Sequence, residues 1–226
     1  MGLWTDYTVT IRFTSRLMAG TPADPRILAA LLEVKGRPDL LEEVKAELPQ
    51  ADDENGGAAE PEQIQKNVFK RDPEGRLMME GYTWRAHFKD AAHVLAPMMK
   101  KVHALQAFRA KLADRLYVQD EHILIQQLGD PNEQLDDPSE WSPLMQPSGE
   151  ETRGIRVQTP RGPRSAIKCA EFVEGARMRY TLQILNDGVI TEGLLRECLE
   201  YGAVHGYGAD RSLQRGQYEF EIEPSG

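Results

Sequence analysis

The sequence predicts an α+β fold, and the order of its elements fits a βαββαβ antiparallel core carrying insertions. Two kinds of pattern carry this expectation. Apolar and polar residues alternate near residues 7–13, 177–185 and 217–222, the two-residue period of half-buried strands. Near residues 84–96 and 192–201, apolar side chains recur every three or four positions, the period of a helix packed on one face. The order strand, helices, several strands, helix, strand then runs along the 226-residue chain.

In the first strand Tyr7, Val9, Ile11 and Phe13 alternate with Thr8, Thr10 and Arg12. Residues 15–23 form a turn containing Gly20 and Pro22. Asp24 then caps a helix with Pro25 at its first position, and Ile27, Leu28, Leu31 and Leu32 supply its stripe. Gly36 and Pro38 break it, and a second short helix is expected over 39–48. Residues 50–63 are acidic, rich in Gly and Ala and without apolar period, which reads as a loop.

Asp72-Pro73-Glu74-Gly75 is a turn. A strand over 76–83 leads into a helix over 84–96 with Trp84, Phe88, Ala91, Ala92 and Leu95 on one face. Pro97 is expected to separate it from a second helix over 98–116. Residues 117–126 read as a strand. Residues 129–149 are acidic, contain prolines and lack a core pattern, although Trp141 and Met145 are possible anchors. Strands follow over 155–159, 165–173 and 177–185. Asn186-Asp187-Gly188 turns the chain into the last helix, where Leu194, Leu195, Cys198 and Leu199 share a face. Gly202 is expected to stop that helix in the left-handed conformation. Insertions therefore fall at about 20–70 and 127–152 of a single domain.

Composition narrows the function classes. The hydrophobic fraction of 40% and charged fraction of 28% are those of a soluble globular protein. No apolar run is long enough to span a bilayer and no basic-then-apolar leader begins the chain, so a cytoplasmic location without a membrane partner is expected. Cys169 and Cys198 are the only cysteines, and each sits in an apolar-patterned segment, so two buried thiols are expected. A cysteine-based zinc site is not available, and no cofactor motif occurs.

The net charge of −9 argues against nucleic acid until its distribution is considered. Residues 119–152 carry nine acidic residues and no Lys or Arg. Residues 151–179 carry seven basic ones: Arg153, Arg156, Arg161, Arg164, Lys168, Arg177 and Arg179. Another seven lie in 84–115: Arg85, Lys89, Lys100, Lys101, Arg109, Lys111 and Arg115. Salt screens fields beyond about 8–10 Å, so a local basic face holds phosphate despite an acidic total. The alternative is a solvated surface of helix-face ion pairs.

After the last helix come Gly206, Gly208, Arg211, Ser212, Arg215 and Gly216, and then the closing strand with Tyr218, Phe220 and Ile222 inward. Glycines permit close backbone approach, and successive N–H groups form anion-binding nests. An ordinary helix-to-strand connection accounts for the same glycines.

Helix, then Gly206-x-Gly208-x-x-Arg211-Ser212-x-x-x-Gly216-x-Tyr218, then strand, resembles the C-terminal signature of the RAMP superfamily, the ferredoxin-like RNA-binding subunits of CRISPR effector complexes. Residues 79–92, with Tyr82, Arg85, Phe88, Lys89, Asp90 and Ala91, look like that family's strand-then-helix entry. The chain as a whole resembles phage and prophage proteins of this RAMP-like type. The matching pieces there include Gly20-Thr21-Pro22, Asp24-Pro25 and Gln158-Thr159-Pro160-Arg161-Gly162-Pro163-Arg164. Gln217 departs from the pattern, because a basic residue is more usual there.

The resemblance implies a ferredoxin-like (RRM-like) core and a basic groove in the cytoplasm of a bacterial host. That groove would hold single-stranded RNA without base-specific readout. Phosphate contacts are expected from Arg161, Arg164 and Lys168, from Arg85 and Lys89, and from Gly206, Gly208, Arg211, Ser212 and Arg215. Tyr82, Trp84, Tyr207 and Tyr218 are candidates for base stacking, and each also fits a core position. No metal or cofactor is expected, and protein partners or self-association are compatible with the reading. A second reading is an acidic interaction protein that docks on or blocks a nucleic-acid-binding partner through the carboxylates of 52–62 and 120–151, among them Asp136, Asp137 and Glu140. A third is a metal-independent endoribonuclease with His205 as general base, although no acid–base partner for it is fixed by the sequence. His87 and His93, six apart on a helix, do not share a face and imply no zinc pair.

Overall fold

The computed structural model describes residues 2–24, 65–128, 141–159 and 162–225. In chain order the strands are β1 (Trp4–Phe13), β2 (Leu17–Met18), β3 (Thr21–Pro22), β4 (Gln65–Val68), β5 (Lys70–Arg71) and β6 (Leu77–Glu80). Helices α1 (Gly81–Val102) and α2 (Phe108–Arg115) follow, then β7 (Leu116–Val118), β8 (His122–Leu124) and β9 (Gln126–Gln127). The chain continues with β10 (Gly149–Thr159), β11 (Gly162–Val173), β12 (Ala176–Leu185), α3 (Glu192–His205) and β13 (Tyr218–Pro224). The expected helices after Asp24 and over 39–48, the loop over 50–63 and most of the acidic stretch after Gly129 lie outside the described residues. The chain divides into two compact units.

The first unit comprises Met1–Met18, Lys70–Ser148 and Val173–Gly226. Its principal sheet is antiparallel, in the order β13-β1-β12-β7, with β9 also pairing β12. The alternation read from the sequence sorts its two faces. Val9, Ile11 and Phe13 of β1, Met178, Tyr180, Leu182 and Ile184 of β12, and Tyr218 and Ile222 of β13 are buried. Helix α1 buries Trp84, His87, Phe88, Ala91, Ala92 and Met99, and α3 buries Leu194, Leu195, Cys198 and Leu199. Each large apolar side chain so removed from water contributes about 1.5–3 kcal/mol, which is what holds these helices in place. A smaller antiparallel sheet, β5-β6-β8, leads into α1.

The second unit comprises Ala19–Phe69 and Gly149–Phe172. In it β10 and β11 form a long antiparallel hairpin, β4 joins β11 in parallel, and β3 pairs β4. The buried Glu171 carboxylate accepts the Phe69 N–H at 2.9 Å, which satisfies both groups. Glu150 accepts from Lys66 Nζ at 2.6 Å and from Cys169 Sγ at 3.3 Å. Both cysteines are free and buried.

The architecture is therefore α+β with an antiparallel principal sheet, as expected, and three local expectations are corrected. Pro97 does not divide the helix, because α1 runs through it to Val102. Proline removes one backbone donor, and with His93, Val94, Pro97 and Met98 all exposed, the carbonyl it frees lies toward water. The break comes instead at Ala104 and Ala107, both with φ +52°. Gly202 does not end α3. It lies inside the helix, where an added Cβ would collide with the Tyr218 hydroxyl and with His87 Nε2. The strand expected over 117–126 is three short strands, because the chain turns out at Asp120, whose carboxylate accepts the Thr181 N–H at 2.6 Å.

Candidate nucleic-acid interface

Thr191 caps α3, its hydroxyl accepting the Leu194 N–H at 3.5 Å, and the helix ends at Gly206. Gly206 and Gly216 have φ of +89° and +71°. A Cβ at Gly206 would strike the Arg215 carbonyl oxygen, and one at Gly216 would strike that of Tyr207. These two glycines are required because the two ends of the loop cross at backbone contact. Tyr207 N–H donates to Gly216 O at 2.8 Å, Gly216 N–H to Arg16 O at 2.8 Å, and Gly206 N–H to Gly202 O at 2.7 Å. These three donors therefore face carbonyl oxygens and are not free for an anion. Between the crossing points Arg211–Leu213 forms one 3-10 turn, flanked by Asp210 and Gln214 at φ +59° and +58°.

The loop lies on α1. The Tyr207 ring stacks on Trp84 with centroids 3.9 Å apart and planes 8° apart. Thr83 Oγ1 donates to Glu80 O at 2.5 Å, so the Tyr207 hydroxyl donates to Thr83 Oγ1, also at 2.5 Å. Burial pushes the Tyr207 phenol up, and it stays neutral. Tyr180 stacks on Trp84 at 4.8 Å, and Tyr218 packs edge-on at 5.8 Å. Trp84, Tyr207 and Tyr218 are thus core residues, closed to base stacking, while Tyr82 is half-buried. His87 Nε2 lies 3.0 Å from the Tyr218 hydroxyl, which donates to Leu199 O at 3.2 Å. Burial, helped by the charges of Arg211 and His205, lowers the His87 pKa to about 3, so its ring is neutral.

Arg211 Nη1 lies 3.4 Å from Asp90 Oδ2, next to Lys89. Ser212 is exposed, and Arg215 and Gly208 are half-buried in the same loop. His205 is exposed at the end of α3, with its ring stacked on Tyr201 at 5.1 Å. Partial burial and Arg211 lower its pKa, against the pull of Asp90. Arg85 donates to Ala113 O at 2.7 Å and lies 4.8 Å over the Tyr117 ring, so it also ties α1 to α2. Lys89 lines a cleft of about 490 Å³ together with Ala96, Phe108 and Arg109. The structure thus brings the helix entry and the Gly loop together within the first unit.

The remaining cations predicted from sequence belong to the second unit. Arg161 lies outside the described residues, Arg164 stands opposite Val157 in the β10–β11 register, and Lys168 stands opposite Arg153. Sequence reasoning placed Arg153 in the basic block of 151–179 but not among the phosphate contacts, because its position beside Lys168 depends on hairpin register. It also missed the polar face of the principal sheet, where Arg12 pairs with Arg177 and Thr10 with Arg179. Strand parity was the available signal, since these residues alternate with the core set. Arg12 lies 3.5 Å from Glu219 on β13, and the Arg177 guanidinium sits 3.9 Å over Trp141.

Among the described residues no group of three or more His, Cys, Asp or Glu side chains is arranged to hold a metal ion. No described helix is long and apolar enough to cross a membrane. The carboxylates of 52–62, and Asp136, Asp137 and Glu140, lie outside the described residues.

No protein-family model matches the chain, and no curated protein matches it. Among solved structures the chain is similar to one in the cryo-EM structure of the Type III-B Cmr-beta complex bound to cognate target RNA. That similarity has 11% identity and a TM-score of 0.48, and covers 98% of this chain and 60% of that one. It is also similar to a chain of a Type IV-B CRISPR complex, with 13% identity and a TM-score of 0.45, covering 96% of this chain and 90% of that one.

Proposed function

We propose that this chain is an RNA-binding, RAMP-like protein of phage or prophage type that holds the backbone of single-stranded RNA on a basic groove without cleaving it. The observation that carries the reading is the meeting of two separately recognised motifs on one surface: Arg211 of the Gly loop reaches Asp90 at 3.4 Å, beside Lys89 of the helix entry. Strand order supports the ferredoxin-like part of the reading. With the two-residue β9 set aside, β1, β7, β12 and β13 are strands one to four of the principal sheet along the chain, and they lie in the order four-one-three-two. Helices α1 and α2 fall between the first and second strands, and α3 between the third and fourth, an order that supports the split βαββαβ reading.

In this reading Lys89, Arg211, Ser212 and Arg215 contact phosphate, and Gly206 and Gly208 set the path of the loop that presents them. Arg85 belongs to the same surface. For the second unit, taken by itself, Arg164 and Lys168 are proposed as phosphate contacts, and Arg161, proposed with them, lies outside the described residues. Lys and Arg at such sites displace condensed counterions, so binding is expected to be steeply salt-dependent. The test is fluorescence anisotropy of a labelled single-stranded RNA across a salt series. A log–log slope of about −0.7 per contact is expected. Binding that is flat between low and physiological salt, or no binding at low salt, would overturn the reading.

A further inference from the structure

We infer that Trp4, Tyr117 and Arg85 form a stacking site for one nucleobase of the bound strand. The inference rests on the RNA-binding reading and adds a base contact to it. It starts from strand parity. Trp4 shares the face of β1 that carries Asp6, Thr8, Thr10 and Arg12, opposite the buried Tyr7, Val9 and Ile11. Tyr117 likewise shares the face of Gln183, its partner on β12, while Leu116 and Ile184 are buried on the other side. Two large aromatics thus stand on the polar face of the sheet, 36% and 39% exposed, whereas Trp84 and Trp141 are buried.

The two rings meet edge to face, with centroids 5.4 Å apart and planes 88° apart. Core packing does not account for leaving them in water. Asp6 and Gln183 stand beside them in the register, joined by a 3.0 Å hydrogen bond. A nucleobase has apolar faces and polar edges, and this site offers rings and a guanidinium for the first and an amide and a carboxylate for the second. Arg85 connects the site to the proposed phosphate track. It lies 4.8 Å over Tyr117 and is four residues before Lys89 on α1, so the two cations share one helix face. An aliphatic protein anchor would gain nothing from the polar groups around the rings.

The experiment compares a labelled oligouridine with an abasic ribose-phosphate oligomer of the same length, at fixed low salt, using the full chain. Trp4→Ala and Tyr117→Ala are expected to weaken oligouridine binding about tenfold each while leaving abasic binding and the salt slope unchanged. Trp4→Phe is expected to restore most of the loss. Thermal melting checks that the variants fold, and the Phe variant covers a fold-damaged Ala variant. Wild-type RNA affinity in both Ala variants would overturn the site while leaving the RNA-binding reading standing. Equal loss on both oligomers would assign the patch to the backbone and overturn base stacking. Loss of self-association by sedimentation, with RNA affinity unchanged, would make the patch a protein contact and overturn it. Failure of wild type to bind either oligomer overturns the RNA-binding reading itself, and this site with it.

Discussion

Tyr207 lies flat on Trp84, with 3.9 Å between ring centroids, and donates its hydroxyl to Thr83 on the same helix. Trp84 is the fourth residue of α1, and Tyr207 sits between the two crossing points of the Gly loop, at Gly206 and Gly216. The contact therefore fixes where Arg211, four residues later, meets Asp90.

Removing that ring is expected to loosen the loop and the core together. Tyr207→Ala should cost about 3–5 kcal/mol, as for other buried aromatics. Tyr207→Phe keeps the stack and loses only the hydroxyl, at about 1 kcal/mol. Urea unfolding of the two variants checks the ranking. Equal losses would place the stabilisation in the hydroxyl.

His87 makes the fold acid-sensitive. Its folded pKa of about 3 lies below the usual 6.5, because burial penalises the charged ring. The unfolded chain therefore binds a proton that the folded chain refuses once the pH falls below 6.5. Stability is full above 6.5 and declines as the pH falls toward 3, by up to about 1.4 kcal/mol per unit. His205, with its pKa also lowered, contributes in the same sense. Carboxylates held low by partners, such as Glu150 and Asp187, add their losses at more acid pH. In a His205→Asn background, urea midpoints at pH 7 and pH 5 should fall less in His87→Gln than in the parent. An unchanged difference would rule out His87 as the source.

What was legible in the sequence was what local period encodes. The alternation of β1, β12 and β13 and the stripes of α1 and α3 identified the core, Trp84 included. The two motifs of the first unit were legible as local strings, and the structure brings them together. Features set by distant neighbours were not legible. Gly202 looks like a helix stop until Tyr218 and His87 are seen against it. Tyr207 and Tyr218 look available for stacking until the loop folds back onto α1. Trp4 drew no attention because the alternation read from the sequence begins at Tyr7, whereas the strand begins three residues earlier.

Trp141 belongs to the core of the first unit, although its flanking sequence has no core pattern. It is 7% exposed, Arg177 lies 3.9 Å over its ring, and Leu144 exchanges backbone hydrogen bonds with Leu77 and Ile125. The reading of 129–149 as a stretch without a core pattern is corrected at Trp141, which is buried, whereas Met145, the other anchor considered, is exposed. Trp141→Ala should lower stability by about 3 kcal/mol. Excision of 141–148 should unfold the first unit, as read by near-ultraviolet circular dichroism. A native spectrum after excision would return Trp141 to a peripheral role.

Gly202→Ala tests the close approach of α3 to β13. Alanine is the better helix former by about 1 kcal/mol, so an unhindered site would gain stability. Here the new Cβ meets the Tyr218 hydroxyl and His87 Nε2, and overpacking should cost about 1–3 kcal/mol. Tyr218→Phe in the same chain removes one colliding atom and should recover part of that loss. Melting temperatures of the single and double variants decide the sign. A Gly202→Ala variant more stable than wild type would show that the helix shifts freely.

The Gly loop separates a binding role from a structural one. Arg211 is about a third exposed and its contact with Asp90 is long, so the pair contributes at most about 1 kcal/mol to stability. Arg211→Ala combined with Arg215→Ala is therefore expected to leave the melting temperature nearly unchanged. The same double variant should weaken RNA binding at least tenfold, about 1.4 kcal/mol. Gly208 differs in kind. Its φ is +84°, and a side chain there would press on Leu17 Cδ1 at 3.0 Å and Met18 O at 3.1 Å, so Gly208→Val should damage both fold and binding. Asp90→Asn frees Arg211 from its carboxylate and should tighten RNA binding slightly. If the chain were instead an acidic docking protein, the ranking would reverse. The arginine pair would be silent, and neutralising Asp136, Asp137 and Glu140 would abolish partner binding. Unfolding on loss of the arginine pair would make the loop a structural connection and remove the phosphate assignment.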